Sequence, residues 1–322
     1  MAVEAGVSQT TVSLVLRGAA EGRVSERTQS KVLTAAESLG YVPNEAGRLL
    51  RNSASRLLAL VVPDVTDPYF TAVMRGAESE AGRRGMVLSL LEARTADMLG
   101  RVIGSVRSRW MTGLIVCTPE DAQVELLASV MDHTVILDGY DARARACIQY
   151  DIGDGVGQAV DLLRGGGHRS IGHIASAATS STVQTRDATM GRLVPGSPRC
   201  EVIYPLEPDV AAGQVRLFLE EHPELTAVVC DTDSLGLVAL AAASDLGIAV
   251  PDQLSVVGFN DTFEAQIARP ALTSVGLPME EAGALATRLL LDPRPDPRRV
   301  VLPATLSVRS STAPVRPGPA SA

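Results

Sequence analysis

Gln9, Thr10, Thr11 and Ser13 set one amide and three hydroxyls within five residues, with Leu14 and Arg17 just beyond. Short hydroxyl side chains, an amide at the start and a guanidinium behind suit a helix laid into a major groove. There base edges present donors, acceptors and thymine methyls. A solvated face of a small helical domain fits the same residue types, because helix, glycine turn and helix occur in many proteins that never touch DNA.

The segment that must position them is AGVSQTTVSLVLRG, residues 5–18. Gly6 can take a backbone conformation closed to residues with a Cβ, and the Ser8 hydroxyl can cap the helix that starts at Gln9. At about 100° per residue, Val12, Val15 and Leu16 fall on one side of that helix, while Thr10, Ser13, Leu14 and Arg17 gather on the other. A further helix follows, with Ser25 as its N-cap, Val32, Ala36 and Leu39 on one stripe, and GYVP at 40–43 ending it. Three short helices thus make an all-α head. NEAGRLLRNSASR, residues 44–56, is either a short helix capped by Asn44 or a polar linker. Its arginines Arg48, Arg51 and Arg56 suit phosphates.

The chain has 322 residues, enough for two or three domains, and its formal net charge of −8 argues against a chain that is basic throughout. That average hides a division. Residues 1–56 carry seven Lys or Arg against five Asp or Glu, whereas the remainder carries 22 against 32. A slightly basic head on an acidic body fits a nucleic-acid reader carried by a domain that avoids nucleic acid. Aromatic residues are only 3%, so the core must be aliphatic. Cys117, Cys147, Cys200 and Cys230 show no paired spacing and sit mostly in apolar runs, the pattern of buried reduced thiols. No basic-then-apolar leader opens the chain and no apolar run approaches the roughly 18 residues of a membrane span, so a cytoplasmic protein with no membrane partner is expected.

From Leu57 short aliphatic runs alternate with amphipathic helical patterns. LLALVV (57–62), MVLSLL (86–91), GLIVC (113–117), TVILD (134–138), SIGHIA (170–175), AVVCD (227–231) and SVVGF (255–259) read as buried strands. Between them, helices are expected over 69–84, 155–164, 211–221, 234–246 and 280–291. The alternation implies an α/β core with doubly wound parallel sheets, in an amount that suits two lobes. Ligands in such folds sit beyond the carboxyl ends of strands. The tail from Ser310 is rich in Ser and Pro and reads as disordered.

Signatures of catalysis and of metal or cofactor binding are missing. The only lysine, Lys31, precedes a valine, which excludes a P-loop; no GxSxG elbow occurs. His168 and His173 in RGGGHRSIGH lack the HExxH spacing of a zinc site, and His133 and His222 lie alone. No cofactor and no metal are expected, and no residue is assigned a catalytic role.

AGVSQTTVSLVLRG, VSERTQSKVLTAAESLGYVPNEAGRLLR and LALVVPDVTDPYF strongly resemble bacterial transcription regulators of the lactose and galactose repressor family. LDGY, GHRSIGHI, VCDTDSLGLVAL, VPDQLSVVGFNDT and PALTSVGLP follow in that family's order, so the likeness runs from Ala2 to about Thr312. The resemblance implies a homodimer whose heads bind a pseudo-palindromic double-stranded operator. A two-lobed core, like that of the periplasmic binding proteins, would hold a small effector such as a sugar. Its layout would be a helix-turn-helix head over 1–43, a hinge over 44–56, a core over 57–310 and a tail over 311–322.

By the same resemblance Gln9, Thr10, Ser13 and Leu14 match base-contacting positions, and Ser8, Thr11 and Arg17 lie near the sugar-phosphate backbone. Asn44 and Arg48 belong to the hinge, and Leu50 matches the leucine that wedges into a minor-groove step. Leu14 stands where arginine is usual, exchanging a guanine contact for a surface that meets a thymine methyl, unless it packs against the neighbouring helix. Gly47, in place of the commoner alanine, weakens the hinge helix by about 1 kcal/mol. Members of the family carry more of the first helix ahead of AGVS, so either translation begins upstream or that helix is a stub.

Tyr69, Phe70, Asp138, Arg186, Asp233 and Asn260 match effector-contacting positions. Asn260 replaces a frequent aspartate, and the segment around Arg186 lacks the family's usual continuation. Asp233 reads equally well as a helix cap. The resemblance favours a repressor and no enzyme. The rival readings are a cytoplasmic sugar-binding protein with a vestigial head and an enzyme on a two-lobed α/β fold.

Overall fold

The computed structural model describes residues 1–16, 20–39, 55–203, 206–295 and 297–315. They divide into two compact units, Met1–Ala54 and Ser55–Ala322.

In the first unit, residues before Gly6 form a single turn closed by the Ala5 N–H donating to the Met1 carbonyl at 2.8 Å. Gly6 then reverses the chain with φ +65°, as its position before the Ser8 cap requires. Helix α1 spans Gln9–Leu16 and α2 spans Glu26–Ser38. Val12, Val15, Ala20, Val32 and Ala35 form a small core with Ala5. The stripe expected on α2 is corrected at one position. Leu39 follows the helix as its C-cap and is exposed, while Ala35 takes its place in the core.

The second unit has two lobes, each built on one six-stranded sheet. Strands β1 (Leu57–Val62), β2 (Val87–Glu92), β3 (Gly113–Cys117), β4 (Thr134–Leu137) and β5 (Ala146–Tyr150) belong to the first lobe. Strands β6 (Ile171–Ser176), β7 (Arg199–Val202), β8 (Ala227–Cys230), β9 (Ser255–Asn260) and β10 (Thr273–Gly276) belong to the second. The chain then returns to the first lobe for β11 (Arg299–Leu302) and to the second for β12 (Thr305–Ser307). The orders are β11-β5-β4-β3-β1-β2 and β12-β10-β9-β8-β6-β7. Every pairing is parallel except β10 with β12. Parallel strands need crossovers that cover both faces, which is why the strands read as continuous aliphatic runs.

The crossovers are α3 (Pro68–Arg83), α4 (Ala96–Arg107) and α5 (Asp121–Leu127) in the first lobe, and α6 (Ile152–Gly165), α7 (Ser181–Leu193), α8 (Pro208–Glu221) and α9 (Asp233–Asp245) in the second. A short α10 (Phe263–Ile267) and the returning α11 (Met279–Leu291) complete the unit. Helices α3 and α11 touch backbone to backbone. A Cβ on Gly283 would overlap the Val73 carbonyl, and one on Gly76 would overlap that of Glu280. Three passages join the lobes, after β5, after β10 and after β11. Gln158 on α6 pins the last, donating to the Ala304 carbonyl at 3.0 Å and accepting from the Leu306 N–H at 2.9 Å.

The disordered tail is corrected over its first residues. Ser311 is fully buried, its N–H donates to the Ala271 carbonyl at 2.9 Å and its hydroxyl to the Val256 carbonyl at 2.6 Å. Ser and Thr side chains here satisfy buried backbone groups, so a polar composition accompanies order. All four cysteines are free and buried. Among the described residues no helix is long and apolar enough to cross a membrane, and no cluster of metal ligands occurs.

Candidate functional site

On the first unit, Ser8 ends the turn and its hydroxyl accepts from the Thr11 N–H at 3.1 Å, capping α1. Gln9 and Thr10 are exposed; Thr11, Ser13 and Leu14 are half-buried. Leu14 does not join the apolar cluster to which Val12, Val15 and Leu16 contribute. The polar face of α1 is therefore presented outward by a helix whose other side is locked into the core. Arg17, Asn44, Arg48 and Leu50 lie outside the described residues.

In the second unit a cavity of about 240 Å³ opens between the lobes at the carboxyl ends of the strands, where open α/β sheets bind ligands. Tyr69, Phe70, Asp138, Arg186 and Asn260 all line it. Asp233 does not. It is buried at the start of α9, where its oxygens accept from the Ser274 hydroxyl at 2.5 Å and the Thr262 N–H at 2.6 Å. Nor does it cap the helix, a task of the Thr232 hydroxyl, which accepts from the Leu235 N–H at 3.2 Å. Burial pushes the Asp233 carboxyl up to about 6 against the bonds from Ser274 and Thr262.

The aromatic wall follows from one cap. Asp67 accepts from the Tyr69 N–H at 2.9 Å and Pro68 occupies the first turn of α3, both favourable where N–H groups lack helical partners. Tyr69 and Phe70 are thereby turned inward and packed edge to face, with ring centres 4.9 Å apart. The Tyr69 hydroxyl donates to that of Tyr150 at 3.3 Å. Burial holds both phenols well above their ordinary range.

Backbone strain concentrates at the same edge. Thr118, Asp138, Asn260 and Asp261, at or just beyond the ends of strands, have φ of +44°, +59°, +107° and +57°. Each such residue costs about 1–3 kcal/mol, and strain of this kind gathers at functional sites. Asp138, from the first lobe, accepts from the Thr182 hydroxyl on α7 of the second at 2.6 Å, so one hydrogen bond spans the cleft. Burial raises the Asp138 carboxyl, opposed by Thr182 and by the charge of Arg186.

Arg186 lies with its guanidinium 4.4 Å from the centre of the Phe259 ring. Its Nε is buried without a hydrogen-bond partner among the described residues, and so is Oδ1 of Asn260. A buried donor and a buried acceptor left open on the wall of one cavity offer a pair of bonds to a ligand that both gives and takes protons, such as a hydroxyl compound.

Behind the cavity, His173 on β6 donates from Nε2 to Asp231 at 2.9 Å, and the other Asp231 oxygen accepts from the Ser176 N–H at 2.9 Å. Burial would raise the Asp231 carboxyl. The bond from His173, the charge of Arg186 and the Ser176 N–H together bring it below its ordinary range. Neither His173 nor Asp231 carries a metal-site spacing, and nothing in the sequence marks them as partners. Thr182, Ser176 and Thr232 also line the cavity without having been singled out. Their signal was position alone, since Ser176 ends a strand, Thr232 caps a helix and Thr182 opens one.

Residues 1–44 match the family of bacterial regulatory proteins named for lacI, and residues 160–312 match a periplasmic binding protein-like domain. The transcriptional regulator GalR of Salmonella typhimurium is 30% identical over 333 residues, spanning 98% of this chain and 95% of GalR. The chain belongs to the lacI family. Another relative is the transcriptional repressor CytR of Escherichia coli, 28% identical over 306 residues, with 91% and 88% of the two chains covered. Among solved structures, the lac repressor dimer bound to operator and an anti-inducer superposes with a TM-score of 0.85 at 24% identity, over 97% of each chain. A complex of the regulator CelR with cellobiose gives 0.70 at 27% identity, over 96% of this chain and 98% of CelR. The lacI-family fold, an all-α head and a two-lobed core of parallel sheets, is thus the one expected from the sequence.

Proposed function

We propose that this chain is a DNA-binding transcriptional repressor controlled by a small hydroxylated metabolite, in the class of sugars, held between the lobes of its core. The observation that carries the effector half is the open pair, Arg186 Nε and Asn260 Oδ1, buried on the wall of an aromatic-lined cavity. The DNA half rests on family membership and on the outward polar face of α1.

In this reading residues 1–43 read the operator, 44–56 form the hinge and the core begins at 57. Gln9, Thr10, Ser13 and Leu14 meet base edges, Ser8, Thr11 and Arg17 the backbone, and Asn44, Arg48 and Leu50 the hinge contacts. Tyr69 and Phe70 stack on the ligand, while Asp138, Arg186 and Asn260 bond its hydroxyls. The protein acts in the cytoplasm as a homodimer on a pseudo-palindromic operator, and catalyses no reaction. A ligand that prefers one lobe arrangement shifts the population of DNA-competent dimers by its difference in affinity for the two.

Two measurements test this. Thermal-shift screening against sugars and nucleobases should find a ligand that raises the melting temperature. Selection from a randomised duplex library should recover two inverted half-sites. Recovery of a ligand with no enrichment of any duplex would instead identify a small-molecule binding protein.

A further inference from the structure

All six strands of the first lobe run parallel, so their amino ends share one edge, opposite the effector cavity. That edge is lined with arginines. Arg56 precedes β1, Arg109 precedes β3, Arg145 precedes β5, and Arg294 and Arg298 precede β11. Arg56, Arg109, Arg294 and Arg298 are exposed and Arg145 is half-buried. Asp132, Arg145, Arg294 and Arg298 surround a surface hollow of about 300 Å³.

Among the described residues these cations are not used up in ion pairs. Among the described residues no carboxylate pairs with Arg56, Arg109 or Arg294. Arg145 and Arg298 spend their bonds on carbonyls: Arg145 donates to Leu289 at 3.2 Å and to Asp292, and Arg298 donates to Ala144 at 2.8 Å. Such bonds fix a guanidinium without neutralising it. Among the described residues, Asp132 is the one carboxylate lining the hollow with Arg145, Arg294 and Arg298. Arg107 and Arg288 stand in the last turns of α4 and α11, where a cation complements the helix dipole. That explanation does not reach Arg56, Arg109, Arg145, Arg294 or Arg298, which are not in helices. A concentration of cations is also out of character for residues 57–322, which carry 22 Lys or Arg against 32 Asp or Glu.

We infer that this arginine edge of the core is a second, sequence-independent contact for double-stranded DNA, acting on its phosphates. The inference rests on the proposed DNA-binding role. Three observations favour a duplex as occupant. The cations are spread across the amino ends of strands β11, β5, β3 and β1, an array that follows a repeated anion. They are arginines, whose planar forks match phosphate oxygens. And the edge includes Ser55 and Arg56, through which the core is joined to the amino-terminal unit.

The test uses the full chain and a labelled random-sequence duplex of about 40 base pairs, titrated at several salt concentrations. The triple variant Arg109→Asn, Arg294→Gln, Arg298→Gln is compared with Arg169→Gln, Arg192→Gln, Arg216→Gln, which removes the same charge from exposed positions of the second lobe. The edge variant should reduce the slope of log affinity against log salt by about 2 or more, weakening binding roughly tenfold or more near 0.1 M salt, while the control variant changes it little. Preference for a selected operator over random duplex should be unchanged, because phosphate contacts carry no sequence information. Equal slopes for wild type and edge variant, or equal losses in both variants, overturn the inference and leave the regulator reading standing. A wild-type chain that binds no duplex at all overturns both.

Discussion

Replacing Arg186 with methionine separates binding from stability, and the structure sets the magnitudes. The side chain is 6% exposed, carries a positive charge, and holds a buried Nε with no partner. An unsatisfied buried donor costs about 1–3 kcal/mol, and methionine of similar length removes it. Against that gain stands the loss of the contact with Phe259, worth about 0.5–2 kcal/mol, and of the charge that helps hold Asp138 and Asp231 ionised. The two sides nearly cancel, so the unliganded variant should unfold within about 1 kcal/mol of wild type. Ligand binding has no such offset. A hydrogen bond to a charged donor contributes about 1.5–3 kcal/mol, so affinity should fall roughly 10- to 150-fold. Urea unfolding without ligand and calorimetric titration with the sugar found by thermal-shift screening read the two quantities separately. A loss of more than about 3 kcal/mol of stability, or unchanged affinity, would show that Arg186 braces the fold instead of waiting for a ligand.

Three further predictions concern other residues. Asp233 is held up to about 6 by burial, so the folded state binds the extra proton between its ordinary value of 3.8 and 6. Its contribution is complete at low pH and is lost as pH rises through 6, about 3 kcal/mol in all. Comparing urea midpoints of wild type and Asp233→Asn from pH 4 to 7 should show the wild type losing ground relative to the variant; parallel curves would contradict this. His173→Phe strands the buried Asp231 carboxylate and should cost about 3–5 kcal/mol, most of it recovered in His173→Phe with Asp231→Leu. A double-mutant cycle from denaturant unfolding that finds the two changes additive would dismiss the pair. Leu14→Arg should move the selected base under that residue from thymine to guanine, with about 1–3 kcal/mol of discrimination; an unchanged selected sequence would mean that Leu14 does not face the groove.

The strands that could be read from the sequence are continuous aliphatic runs such as LLALVV and GLIVC, whose two faces are both covered, and the edge strand β2, whose VLSLLE is aliphatic enough to be read although it is not buried. The strands not singled out, ACIQY, RCEV, TSVG, RVVL and TLS, are short, sit towards the sheet edges and interrupt their aliphatic residues with polar ones. Helix α7 escaped for a different reason. It buries Thr182 and Arg186 at the cavity and Thr189 further along, so it has no apolar stripe to reveal it. The same polarity that hides the helix makes it useful. Tyr69 and Phe70 were expected from the family resemblance, and the Asp67 cap in DPYF is what turns them inward; Asp233 was expected on the same ground and is not at the cavity, since a carboxylate opening a helix looks the same whether it faces a ligand or Ser274. The His173 and Asp231 pair is separated by 58 residues and is created by adjacent parallel strands β6 and β8. No local spacing encodes it.

The central claim is that one chain couples operator reading by α1 to occupancy of the cavity between the lobes. It is tested most directly by titrating the selected duplex with protein, with and without saturating ligand, following anisotropy. The account predicts tight binding to the selected pseudo-palindrome over a random duplex, and a change in that affinity of about fivefold or more when the ligand is added. Equal affinity for both duplexes, or an affinity for the selected one that ligand leaves untouched, would contradict it.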